Sequence, residues 1–359
     1  MKNLILLILM ILSFFNRCNY RNMDRVYEKV ETRYDKSLFT ICSWITTMRY
    51  SSADTSDLFS VQKLVWNSLH KKIPEKKLNS MKDYYTRLEN KKGHMFTYAA
   101  AAVALNTTEP PEMRMMRKEL EDYSNKHNSN IEWISYQMDD LEEFIDSVRH
   151  FYSQYDIDKL YEKCKPFYTV AQEKYEQQVR LQIKNSMNYL KTKPEKLDSI
   201  QKIVIIPNLV GFQGEMGPTF RGIKFDVKGP RKEYVFYPHE FIHSLVNKLT
   251  YSEKYEQQIQ AIAGLVWEEI EETPARRSYP DPIVYFDDCL VRTLDGIIFY
   301  EYGQGLNSEC MKTIEQNVKR GFILCKPMYE AMQEYERQDK SFVKYFPEFI
   351  EIVDNSIRK

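Results

Sequence analysis

The chain has 359 residues, with 51 basic and 51 acidic side chains, so its formal net charge is zero. This balance argues against a nucleic-acid partner and against binding to an anionic membrane surface, because both usually require a basic excess. Hydrophobic residues account for 43% and charged residues for 28%, which is typical of a soluble globular protein. The six cysteines include no CxxC pair, which excludes a cysteine-rich zinc ribbon.

The N-terminus has the layout of an export signal. Lys2 precedes an apolar run, 4–15, that is too short to span a bilayer comfortably. Residues 1–18 are therefore predicted to be a secretory signal, or a lipoprotein signal that attaches a lipid to Cys18. A buried apolar segment is the alternative. The expected location is the periplasm, the outer membrane or the extracellular space, with the N-terminus as the only membrane attachment.

Residues 24–198 are predicted to form a mainly helical region with one early strand. The strand is expected at 25–32, where apolar and polar residues alternate. Helical spacing then dominates from residue 37 to about residue 193. The helices expected from this spacing and from the alanine-rich stretch lie at 98–105, 111–126, 132–155 and 161–193.

The pattern changes near residue 200, where short apolar runs are separated by glycine and proline turns. Strands are predicted at 203–206, 220–227 and 234–237. Residues 199–359 are expected to form a second region, either separate from 24–198 or continuous with it. The predicted fold class is α+β and mostly helical.

The sequence HEFIH at 239–243 directly follows the third predicted strand. Pro238 favours the first turn of a helix, so a helix is predicted over 239–248. Residues four positions apart share one helical face, so His239 and His243 can bind a single tetrahedral zinc ion. Glu240 is rotated by about 100° from His239, which leaves it beside the metal rather than on it, where it can accept a proton from zinc-bound water. Two ordinary surface histidines are the alternative interpretation.

A catalytic zinc site needs a third protein ligand, and no third histidine follows His243. Asp288 is the preferred ligand, because it stands at the start of an apolar segment where a carboxylate needs a partner. Asp287 is an alternative ligand, and helix N-capping would also explain either aspartate. Arg292, one turn after Asp288, is expected to orient its carboxylate or to form a plain ion pair. A further alternative is a group of glutamates: Glu268, Glu269, Glu271 and Glu272.

The remaining histidines lie in polar helical segments and are expected at the surface rather than at a metal. They are His70, His94, His127 and His150. Two cysteines, Cys42 and Cys289, lie among apolar residues and are expected in the core.

Two segments resemble a family of exported bacterial proteins, common in Bacteroidetes, that is uncharacterised and associated with zincin-like metallopeptidases. The segments are HEFIHSLVN at 239–247 and DCLVRT at 288–293, with a weaker similarity in the aromatic segment 335–349. The family usually has glutamate in place of Asp288 and alanine in place of Thr293. Because aspartate is one methylene shorter, its helix must lie closer to the metal. The similarity covers roughly residues 25–350 and implies a zincin-like fold, with a small twisted sheet, an active-site helix and a helical C-terminal half.

These features predict an exported zinc metallopeptidase that acts on a peptide or protein substrate. His239, His243 and Asp288 would bind Zn²⁺, and Glu240 would be the general base for zinc-activated water. Residues 199–359 are therefore expected to be a zinc-binding catalytic region. A zinc amidase acting on cell-wall peptides is one alternative, and a non-catalytic surface-binding lipoprotein with a vestigial or structural zinc site is another. Strand 220–227 is either an edge strand that pairs with extended substrate or a buried central strand. The candidates for stabilising an oxyanion are Tyr279, Tyr285, Tyr300 and Tyr302.

Overall fold

The computed structural model describes residues 26, 28–51, 56, 58–92, 95–114, 138–193, 202–211, 219–220, 223–230, 234–279 and 281–358. These residues form two compact units. The strand unit comprises the described residues within Val30–Glu176 and Ile200–Val235. The histidine unit comprises those within Met1–Lys29, Gln177–Ser199 and Phe236–Lys359. Both of the predicted regions, before and after residue 199, therefore contribute to each unit.

Helices make up most of the strand unit. They are α1 (Lys36–Arg49), α2 (Ser60–His70), α3 (Glu75–Lys92), α4 (Met95–Leu105), α5 (Met138–Gln154) and α6 (Ile157–Tyr189), the last of which ends in the histidine unit. Helix α1 begins after Asp35, whose carboxylate accepts the backbone N–H of Leu38 at 2.8 Å. Its core-facing residues include Trp44, which is fully buried.

The predicted helices are largely confirmed, with shifted ends. The alanine-rich helix is α4, and the next two predicted helices, 132–155 and 161–193, correspond to α5 and α6. The helix expected at 111–126 is not seen in its described part, because residues 111–114 form a turn and an irregular segment. Residues 115–126 lie outside the described residues.

The sheet of the strand unit has the order β1–β2–β4–β3. Its strands are β1 (Val30–Thr32), β2 (Lys202–Pro207), β3 (Thr219–Phe220) and β4 (Ile223–Lys228). β1, β2 and β4 run parallel, with Val30 opposite Ile203 and Val204 opposite Phe225, and β3 pairs antiparallel with β4. The apolar run at 203–206 is buried within β2, as a strand covered on both faces requires.

Two strand predictions need correction. The early strand is much shorter than 25–32, because a turn closed by Lys29 N–H and the Val26 carbonyl precedes it. The segment 234–237 is irregular and does not join the sheet, since the Phe236 N–H donates to the side chain of Gln178 instead. Strand 220–227 corresponds mainly to β4, which lies inside the sheet between β2 and β3, so of its two alternatives the central strand is observed and the edge strand is not.

The histidine unit is helical in all its described regular elements. Its helices are α7 (His239–Thr250), α8 (Glu253–Val266), α9 (Pro274–Ser278), α10 (Pro282–Gly296), α11 (Asn307–Lys319), α12 (Cys325–Glu336) and α13 (Phe342–Ile357), and a π-helical turn, Ile297–Tyr302, follows α10. Helix α10 packs against α7, α8, α11 and α12 and lies at the centre of the unit. Its apolar side chains, including Leu290 and Leu294, are fully buried.

The fold class is α+β and mostly helical, as predicted. The predicted signal at residues 1–18, including Cys18, lies outside the described residues. Within the part of the chain that the structure describes, no helix combines the length and the apolar content needed to span a bilayer.

Candidate metal centre

The two histidines of the HEFIH sequence lie together on α7. His239 is the first residue of the helix and follows Pro238, whose carbonyl accepts the N–H of Ile242 at 2.8 Å. The ring centroids of His239 and His243 are 4.9 Å apart, and the ring planes are inclined by 81°. The predicted helix is therefore present, and its pitch brings both imidazoles to one face.

Asp288 approaches these histidines from α10. The N-cap of α10 is Asp281, whose side chain accepts the N–H groups of Ile283 and Val284. N-capping therefore does not explain Asp287 or Asp288, which lie further into the helix and are buried. One carboxylate oxygen of Asp288 lies 3.3 Å from Nε2 of His239 and 3.9 Å from Nε2 of His243.

These three side chains could hold a metal ion. Their candidate ligand atoms all lie within 4.8 Å of one another, and among the described residues no other group of three such side chains converges in this way. In a tetrahedral zinc site with bonds of about 2.0–2.1 Å, ligand atoms are separated by about 3.4 Å. The observed 3.3 Å and 3.9 Å separations are close to that value. Two imidazoles and one carboxylate therefore suit a divalent transition metal in both spacing and chemistry.

The four glutamates that were alternative candidate ligands do not lie at this group of side chains. Its four members follow α8 in a turn and are exposed to solvent: Glu268, Glu269, Glu271 and Glu272. None of them belongs to the converging group of ligand atoms.

Arg292 binds the second carboxylate oxygen of Asp288. Its Nε–H donates to that oxygen, and its guanidinium lies 4.1 Å from the ring centroid of Phe322. Burial alone would raise the pKa of Asp288. The positive charge of Arg292 and the contacts with His239 and His243 outweigh burial and hold the pKa of Asp288 well below its usual range. Asp288 is therefore an anion at neutral pH, as metal ligation requires.

Tyr279 is next to this ion pair. Its hydroxyl oxygen lies 3.5 Å from a terminal nitrogen of Arg292, and its ring contacts Phe322 edge-on. Burial, reinforced by the negative charge of Asp288, raises the pKa of Tyr279, so the hydroxyl keeps its proton and remains a hydrogen-bond donor.

The other three tyrosine candidates are engaged elsewhere. Tyr285 is buried; its hydroxyl donates to the Gly321 carbonyl at 2.9 Å and accepts the N–H of Ile323. The hydroxyl of Tyr300 lies 2.9 Å from that of Tyr237. The ring of Tyr302 is about half exposed and packs against Tyr189.

Sequence reasoning missed the contact that supports His243. Nδ1 of His243 lies 2.8 Å from one oxygen of Asp287, and Thr250 Oγ1 donates to the other oxygen at 2.5 Å. Asp287 thus contacts a candidate ligand and is not part of the converging group itself. The sequence feature that indicates this contact is the adjacency of Asp287 and Asp288. Consecutive helical residues point about 100° apart, so the two carboxylates cannot both contact the same atom.

Glu240 is the second residue of α7 and is partly buried. Its backbone carbonyl accepts the hydroxyl of Ser244 at 3.4 Å. Its place in the helix, one residue after His239, directs its side chain about 100° away from that imidazole.

Two of the remaining histidines are described, and neither belongs to the candidate metal group. His70 stacks on Trp66 and contacts the Thr47 carbonyl, whereas His150 is exposed. His94 and His127 lie outside the described residues. The five described cysteines are free and buried, including Cys42 and Cys289, as expected for core residues.

Comparisons of the chain with protein-family models, with curated proteins and with solved structures gave no match. The function is therefore inferred from the geometry and chemistry of the histidine unit.

Proposed function

We propose that the protein is a zinc-dependent metallopeptidase of the HExxH type. The supporting observation is the convergence of His239 and His243 on α7 with Asp288 on α10. Three protein ligands leave one position for solvent or substrate, which is typical of catalytic zinc sites, whereas structural zinc sites usually have four. When bound, zinc supplies a Lewis acid that polarises a carbonyl group and lowers the pKa of water.

The side chains supply the remaining requirements of peptide hydrolysis. Asp288 contributes a fixed negative charge, because Arg292 keeps it ionised and oriented. Glu240 is assigned as the general base that removes a proton from the attacking water and then delivers it to the leaving amine. A purely structural metal site would have no use for a carboxylate in this position.

The zincin-like fold and the export of the protein belong to the same proposal. An HExxH helix followed by an acidic ligand on a later helix is the arrangement implied by the resemblance in segments 239–247 and 288–293. The basic start and apolar run at residues 1–18 support export. The substrate class follows from the site type: a peptide bond in a peptide or protein.

The test is a comparison of wild-type protein with Glu240→Gln. Wild-type protein is expected to hold one zinc ion per chain and to cleave casein or a peptide library. Glu240→Gln should keep the zinc and lose activity by about 10²–10⁴-fold, the usual contribution of general acid–base catalysis.

Glu256→Gln is the matched control, because Glu256 is an exposed glutamate on the next helix. This variant should retain both zinc and activity. A wild-type protein that holds zinc but cleaves no substrate would contradict the proposal and favour a binding function. Full activity in Glu240→Gln would also contradict it.

A further inference from the structure

We propose that Asp287 is a positioning residue of the metal centre, acting together with Thr250. Its carboxylate fixes the orientation and tautomer of His243 and aligns α10 with α7, so that Asp288 meets the two imidazoles. The inference rests on the proposed metal site and adds two residues on which metal binding depends.

The carboxylate of Asp287 contacts α7 at two points. One oxygen lies 2.8 Å from Nδ1 of His243, and the other accepts the Thr250 hydroxyl at 2.5 Å. His243 and Thr250 are seven residues apart, close to two helical turns, so they lie on the same face of α7. Two contacts on one helix face restrict rotation and sliding more than a single contact would.

The contact with Asp287 determines which nitrogen of His243 faces the metal position. A carboxylate oxygen accepts hydrogen bonds, so the proton shared in this contact is assigned to Nδ1 of the imidazole. The lone pair of Nε2 is then available as a ligand. The amide oxygen of Asn247 lies 3.3 Å from the same Nδ1 and is the more distant acceptor.

Asp287 is held in this position by burial and by one hydrogen bond to each of its oxygens. Its side chain is only 2% exposed, so water does not compete strongly for the hydrogen bonds. Because His243 occupies one oxygen and Thr250 the other, Asp287 does not turn towards the ligand group. The two adjacent aspartates therefore have different contacts: Asp288 faces Nε2 of both histidines, and Asp287 faces Nδ1 of His243.

The adjacency of Asp287 and Asp288 also couples their positions. Both belong to α10, and consecutive residues of a helix keep a fixed angle of about 100° to each other. When Asp287 is anchored on α7, the rotation of α10 about its axis is fixed, and Asp288 is presented to His239 at 3.3 Å. Loss of Asp287 should thus disturb two of the three ligands at once.

The first experiment measures the zinc dissociation constant by chelator competition. Asp287→Ala is expected to weaken zinc binding by about 10–100-fold, the range seen when a partner of a ligating histidine is removed. Asp287→Asn should bind zinc more tightly than Asp287→Ala, because its carbonyl can accept the proton of Nδ1 and its amide can donate to Thr250. Thr250→Val should weaken binding by less than Asp287→Ala, since it removes only one of the two contacts.

The matched control is Asp281→Ala, which removes the N-cap of the same helix. This variant should lower the melting temperature and leave zinc affinity unchanged. The second readout is the ¹⁵N NMR spectrum of the neutral His243 ring in metal-free protein. The proton should be on Nδ1 in the wild type, whereas both tautomers should be populated in Asp287→Ala.

Unchanged zinc affinity in folded Asp287→Ala would overturn the inference, and so would a proton on Nε2 in the wild type. If Asp287→Ala does not fold, Thr250→Val decides the matter: weaker zinc binding supports the inference, and wild-type affinity overturns it. Failure of this inference and failure of the proposed peptidase function give different results. Loss of zinc in Asp287→Ala combined with an inactive wild-type protein would contradict the peptidase and support the positioning role.

Discussion

Asp288 contacts a candidate metal ligand with one carboxylate oxygen, which lies 3.3 Å from Nε2 of His239, and a cation with the other, which accepts Nε–H of Arg292. The side chain of Asp288 is 6% exposed, so this charge would be costly without a partner. Arg292 provides that partner before any metal binds. The site is therefore organised in advance, with its ligand carboxylate ionised and oriented.

Removal of Arg292 should destabilise the metal-free protein. Arg292→Ala leaves the carboxylate of Asp288 buried without its cation, which is expected to cost on the order of 3 kcal/mol. Arg292→Lys keeps the charge but loses the planar contact with Phe322, so its loss of stability should be smaller than that of Arg292→Ala. Urea unfolding in the presence of a chelator measures the free energy of unfolding of both variants. Losses of equal size in the two variants would contradict the importance of the ion pair.

The hydroxyl of Tyr279 is expected to assist catalysis. It is the only one of the four tyrosine candidates for which the described residues show contact with the Asp288–Arg292 pair. If it donates to the oxyanion of the transition state, Tyr279→Phe should lower kcat by about 10²-fold and leave zinc content unchanged. Steady-state kinetics and metal analysis check the two parts separately.

Tyr285→Phe is the control for Tyr279→Phe. Its hydroxyl bonds the backbone of Gly321 and Ile323 within the core, so this variant should lose about 1 kcal/mol of stability and retain its kcat. Equal losses of kcat in both variants would show that a general disturbance of the fold, and not the hydroxyl at the site, explains the effect.

His70 should make the stability of the protein depend on pH. Burial lowers the pKa of His70, and the charge of Lys82 adds to this, while the hydrogen bond to the Thr47 carbonyl opposes it. The unfolded chain therefore takes up a proton near pH 6.5, before the folded protein does. Stability is greatest above that pH, falls as the pH drops between the unfolded and folded values, and is constant below the folded value.

The measurement for His70 is the free energy of unfolding at pH 8 and at pH 5. His70→Gln should reduce the difference between the two pH values. His150→Gln, which changes an exposed histidine, should leave the difference as in the wild type. A pH dependence that is identical in wild type and His70→Gln would contradict the assignment.

The sequence was most informative where local signals agree. Pro238 and the apolar spacing after it specify the start and face of α7, so the pairing of His239 with His243 follows from helical geometry alone. The α4 helix is similarly specified by its alanines. Asp288 is recognisable in the sequence because a carboxylate at the start of an apolar segment needs a partner.

The features that could not be predicted from the sequence depend on partners that are far away along the chain. The segment 234–237 has the composition of a strand, but the Phe236 N–H bonds Gln178, which is 58 residues away. Asp287 likewise has its role only because α10 packs against α7 and brings it to His243 and Thr250. Neither contact produces a periodic or local pattern that could be recognised in the chain.

The most direct test of the central claim is zinc-edge X-ray absorption of the purified protein, with Asp288→Ala for comparison. The account predicts one zinc ion per chain, with two imidazole nitrogens and oxygen ligands in the wild type, and loss of tightly bound zinc in Asp288→Ala. Absence of bound zinc in the wild type, or sulfur among the zinc ligands, would contradict it.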